Sequence, residues 1–112
     1  MQMVFEGKDS LAKVKVMSDE SERIAFKPSV DVSFGSAAKI YGDAVLGIIL
    51  TGMGSDGREG CRMLKAKGAT IWAQDEESSV VYGMPQAVTI AGISSTNISL
   101  LDFPKAILKE VR

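Results

Sequence analysis

Histidine is absent from this chain of 112 residues. That excludes a self-contained Ser-His-Asp triad, a histidine-ligated metal site and a histidine pH switch. One cysteine, Cys61, excludes an internal disulfide, a four-cysteine zinc site and a Cys-x-x-Cys redox pair. Neither sign of charge dominates: 13 basic side chains stand against 14 acidic ones, so the net charge of −1 gives no electrostatic footprint for nucleic acid. Long apolar runs are missing too. The longest, residues 44–50, falls far short of the ~20 residues a membrane-spanning helix needs, so no membrane insertion is expected. Met1-Gln2-Met3-Val4-Phe5-Glu6 shows no basic segment leading into an apolar one, and no secretory signal is read there. With a free cysteine, this points to the cytoplasm. The 46% of hydrophobic residues then suffices for one domain with a modest core.

The patterning describes an α/β chain. Met3-Val4-Phe5-Glu6 and Ala12-Lys13-Val14-Lys15-Val16-Met17 alternate with period two, and Gly7-Lys8-Asp9-Ser10 between them has turn chemistry, so a β-hairpin is predicted over 2–17. Val14 and Val16 would face one way, Lys13 and Lys15 the other. A polar, mostly acidic loop follows at 18–23. Val30, Phe34, Ala37, Ala38 and Tyr41 share one helical face, with Ser29 to cap the helix, Asp31 in its first turn and Gly42 to end it. Residues 45–51 are apolar up to Thr51, as for a strand in the middle of a parallel sheet covered on both sides. A helix over 57–67, a strand over 69–73, a short helix over 85–91, a short extended piece at 98–100 and a last helix starting near 102–104 complete the chain.

Chemistry concentrates at Gly52-x-Gly54-x-x-Gly57, which follows the buried strand and opens a helix. From the residues alone three readings stand. The glycines permit a tight strand-to-helix turn, with Asp56 only an N-cap in a capping box with Glu59. Alternatively, the turn binds a dinucleotide, with Asp75, Glu76 and Glu77 at about the ~20-residue offset of a ribose-binding carboxylate. Against this, Asp56 would repel a pyrophosphate and compete with it for the same helix amides. The third reading makes Asp56 a pre-oriented carboxylate at the C-terminal end of a strand, where α/β folds place catalytic groups.

Leu50-Thr51-Gly52-Met53-Gly54-Ser55-Asp56-Gly57 closely resembles the L-T-G-M-G-x-D-G motif of the CheB-type chemotaxis receptor methylesterases. Residues 73–85, Ala-Gln-Asp-Glu-Glu-Ser-Ser-Val-Val-Tyr-Gly-Met-Pro, are similar to a second family motif. Lys27-Pro28-Ser29-Val30-Asp31 resembles a third, with Lys where Arg is usual. The resemblance implies a Rossmann-like three-layer α/β/α fold, preceded here by the hairpin and incomplete relative to the family. It implies removal of methyl esters from glutamates on chemoreceptor signalling domains, with deamidation of certain glutamines, and no cofactor. Asp56 matches the triad aspartate, and Met53 matches a methionine whose backbone N–H is an oxyanion donor.

The departure is as informative as the match. The family's nucleophilic serine and its histidine lie upstream of the region this chain resembles, and neither is here. Ser55 and Ser78 sit near the right loops but lack a base to activate them. The chain therefore reads as residues 1–112 of the C-terminal portion of a methylesterase catalytic domain, without the family's receiver domain: a fragment, a natural truncation or one half of a split enzyme, inactive alone. The alternatives are a non-catalytic interaction protein of the chemotaxis system and a dinucleotide-binding module. In the resembled fold the strand carrying the serine pairs with the strand at 45–50. That edge would be open here, calling for the missing half or a second copy. The methionines are expected to fill core gaps, Cys61 to be buried and inert, Trp72 and Tyr82 to line core and pocket, and Asp75, Glu76 and Glu77 to sit in a solvated loop at the site's rim.

Overall fold

The computed structural model describes residues 1–7, 13–18 and 28–111. The turn expected at 8–10, the acidic stretch 19–23 and Lys27 lie outside the described residues. The hairpin is present as β1 (Gln2–Glu6) and β2 (Lys13–Met17), antiparallel with Gln2 opposite Met17. Its burial departs from expectation. Val14 and Val16 are 57% and 60% exposed, because β1 packs against the next helix and β2 lies on the outside.

Helix α1 (Val30–Tyr41) starts and stops where its sequence dictates. The Ser29 side chain accepts from the Val32 N–H, and Gly42 at φ +56° ends the last turn. Ser36 Oγ accepts from the Phe5 N–H at 2.8 Å, and Phe5 meets Tyr41 edge to face, so the hairpin is fastened to α1 by both polar and aromatic contacts.

A short 3₁₀ turn leads into β3 (Leu46–Ile49), then α2 (Arg58–Ala66), β4 (Thr70–Gln74), α3 (Gly83–Ile90), β5 (Thr96–Ile98), a second 3₁₀ turn and α4 (Phe103–Glu110). The three strands form a parallel sheet in the order β3-β4-β5, with Ile48 opposite Trp72 and Ala73 opposite Asn97. The all-apolar pattern of β3 pointed to a central strand, but among the described residues β4 is central and β3 is an edge. β4 also has the more complete burial, with Ile71, Trp72, Ala73 and Gln74 all buried. The core gathers Ala37 and Ala38 of α1, Ile49, Cys61, Leu64, Ile71, Ala73 and Val88. Of the methionines only Met84 packs against it; Met1, Met3, Met17, Met53 and Met63 are exposed. The expectation of core methionines is corrected: Met1, Met3 and Met17 lie on or beside the hairpin strands, Met53 on the glycine loop, and Met63 of α2 reaches over Gly35 of α1 at the surface. No helix among the described residues is long and apolar enough to cross a membrane.

Candidate active site

The site lies at the C-terminal ends of β3 and β4, in the loops that follow them. After β3 the chain runs through Thr51 and Gly52 and turns at Gly57, whose φ of +104° favours glycine. The loop is tied down on the β4 side. Buried Gln74 accepts the Thr51 N–H at Oε1 (2.7 Å) and donates through Nε2 to the Ser78 carbonyl (2.7 Å). Thr51 Oγ1 accepts from the Val81 N–H (2.8 Å) and donates to the Val81 carbonyl (2.9 Å). The Gly52 carbonyl accepts from Gly83 and Met84 at the start of α3 (3.0 and 2.9 Å). The two glycine- and serine-containing motifs thus become one polar scaffold. Gln74 carries much of it, and sequence reasoning assigned it no role. The available signal was an amide ending an otherwise apolar strand.

Asp56 is half-buried and receives three donors. Ser29 Oγ–H and the Asp31 N–H reach Oδ1 at 2.9 and 3.0 Å, and the Val30 N–H reaches Oδ2 at 2.8 Å. A carboxylate offers about four acceptor positions, so among the described residues one position, on Oδ2, stays unclaimed. The expected capping box is not formed. Helix α2 has Gly57 at its N-cap with no side-chain bond, and Glu59 turns instead to Arg62 and Arg58. Asp56 caps the other helix, because the first N–H groups of α1, which have no partner within their own helix, converge on it. The N-terminus of α2 is capped by Asp31, whose Oδ1 accepts from Gly57 and Gly60 at 2.9 and 2.8 Å. Two of the N–H groups a pyrophosphate would use at the start of α2, those of Gly57 and Gly60, are therefore held by Asp31, where the sequence pointed to Asp56 as the competitor.

Met53 stands at the tip of the loop, 81% exposed, and its N–H meets no acceptor among the described residues. Beside the loop, a groove of about 410 Å³ runs between Gly54, Ser55, Arg58, Arg62, Gln86 and Ile90. The rim acids are solvated with one qualification: Asp75 accepts the hydroxyl and N–H of Ser78 at 2.6 and 2.9 Å, and these bonds hold its carboxyl below the usual range. Ser78 also donates its role to structure, since its Oγ accepts from Gln74 and from the Leu100 N–H. Cys61 is fully buried, and burial, helped by the nearby Asp31, pushes its thiol up to about 12.

The family model for CheB methylesterase matches residues 1–107. The chain belongs to the CheB methylesterase family. It is 61% identical over 110 residues to a protein-glutamate methylesterase/protein-glutamine glutaminase of Colwellia psychrerythraea, covering 98% of this chain and 29% of that protein. The corresponding Aliivibrio fischeri protein is 60% identical over 111 residues, 99% of this chain and 29% of its own length. The crystal structure of the Thermotoga maritima CheB methylesterase catalytic domain superposes with a TM-score of 0.87 at 30% identity, covering 96% of this chain and 57% of that one. The α/β architecture, with a parallel three-stranded sheet and an antiparallel hairpin, is thus that of the family's catalytic domain. The chain spans under a third of the length of the curated relatives it matches.

Proposed function

We propose that residues 1–112 form the aspartate-bearing part of a protein-glutamate methylesterase/glutamine glutaminase catalytic domain. Its substrate is the methylated glutamate of chemoreceptor signalling domains in the cytoplasm. The observation that carries this is the Asp56 carboxylate, fixed by three donors with one acceptor position on Oδ2 left over. A triad aspartate needs that combination: it must be held still, and it must accept one N–H from the imidazole it orients, stabilising the imidazolium that forms when the base takes the serine proton. Met53 supplies the second part. Its unclaimed N–H on an exposed loop tip is a donor for the oxyanion of the tetrahedral intermediate. The chain holds no histidine, so the histidine base comes from outside these residues.

The test uses the full-length Colwellia psychrerythraea relative with this sequence in place of its matching 110 residues. Asp56→Asn should lower kcat for methanol release from methylated receptor on the order of 10⁴-fold, with the far-UV circular dichroism unchanged. Activity within tenfold of the unsubstituted enzyme overturns the assignment.

A further inference from the structure

We infer that Asp31 is a positioning residue for Asp56, acting through a reciprocal exchange of caps between two helices; the inference rests on the reading of Asp56 as the triad aspartate. Asp56, in the loop that opens α2, accepts the Val30 and Asp31 N–H groups at the start of α1. Asp31, in the first turn of α1, accepts the Gly57 and Gly60 N–H groups at the start of α2. Each carboxylate satisfies donors that the other helix leaves without a partner, so neither helix start can shift without breaking bonds at both. Asp31 stands at the junction, since its own N–H donates to Asp56 while its side chain holds the residue after Asp56.

The helices are close enough to make the exchange rigid. A Cβ built on Gly60 would stand 2.7 Å from Phe34 Cβ and 3.0 Å from Asp31 Cα. Ser29 joins the same arrangement: its Oγ–H donates to Asp56 and its N–H to Gln2 Oε1 at 2.6 Å, so β1 braces the start of α1 from behind. Asp31 touches no reacting atom in this arrangement. Its effect is on where Asp56 points its remaining acceptor, and a displacement of about 1 Å in such a group can lower turnover ~100-fold.

The full-length graft described above tests this. Asp31→Ala should lower kcat by about ten- to a hundredfold, with KM changed less than about twofold. A misplaced Asp56 stabilises the imidazolium less, so the base's pKa falls and the acid limb of kcat/KM moves to lower pH. Asp31→Asn, which keeps one acceptor for the Gly57 and Gly60 N–H groups, should restore kcat to within about threefold. Loss of folded protein alone would lower the yield of active enzyme and leave the limb in place. Should Asp31→Ala fail to fold, Asp31→Glu, which moves the carboxylate out by one methylene, takes its place and should show the same limb shift. A folded Asp31→Ala or Asp31→Glu enzyme with unchanged kcat and acid limb overturns the inference, provided Asp56→Asn is inactive in the same graft. An active Asp56→Asn enzyme instead overturns the function on which it rests.

Discussion

Gln74 shows how much a single buried amide can hold. Both ends of its side chain are used, one on the Thr51 N–H that enters the glycine loop and one on Ser78. Gln74→Leu keeps the size and strands the Thr51 N–H, which should cost about 1–3 kcal/mol, read by urea denaturation, with faster amide exchange at Thr51. A variant as stable as the original would show that water replaces the bond. Cys61 makes the opposite kind of prediction. Its thiol, pushed up to about 12 by burial, holds almost no thiolate near pH 8. An aromatic disulfide reagent should leave it untouched in the folded chain and modify it quickly in urea. The sign of the pH effect follows from the raised value: the protonated thiol is favoured by folding, so its contribution is complete below pH 9.0 and is lost as pH rises toward about 12.

Among the elements, α1 and α2 decide the geometry of the site, and their contact depends on Gly60. Its sequence position, two residues into a helix, predicts only a weak point in that helix. The structure gives it a reason, because α1 passes where a side chain would be. Gly60→Ala should therefore destabilise by roughly 1–3 kcal/mol through overpacking, despite alanine's better helix propensity. A gain in stability in urea denaturation would mean that the helices can part without penalty. The ends of α1 were legible from Ser29 and Gly42, and both act as read. The start of α2 was misread for a physical reason. A capping box is a local pattern, and local patterns carry no information about a second helix whose donors compete for the same carboxylate. The strand β3 was misplaced similarly: apolarity on both faces reports what a strand needs to bury, while its rank in the sheet depends on which neighbours are present.

For the molecule as a whole, the edge of β3 that has no strand partner among the described residues is the main consequence. Alongside it runs an apolar groove of about 380 Å³ lined by Phe5, Phe34, Tyr41, Val45, Leu46 and Ile48. Among the described residues, β3 pairs on one side only. An unpaired apolar edge is a template for another strand, and Leu46 and Ile48 there are only half-buried. The 112-residue chain by itself should self-associate, with an average mass in sedimentation equilibrium that climbs above 11.9 kDa as concentration rises. A monodisperse monomer with strongly protected amides along Leu46–Ile49 would contradict this.

Much was determined by the sequence alone. Periodicity and stop signals located the strands and α-helices of the described residues within a few residues, because period and capping are local properties. The two residues proposed for the site, Asp56 and Met53, come from one glycine-rich turn in its strand-to-helix context and from a family motif. Only the tertiary structure decided what Asp56 bonds to, that Asp31 caps the neighbouring helix, that Gln74 links the two loops and that the hairpin's valines stay in solvent. The bonds of Asp56 and Asp31 join residues 25 or more apart in the chain, and Gln74 reaches Thr51 across 23. Such meetings are set by the packing of helix on helix and loop on loop, and a linear pattern does not record them.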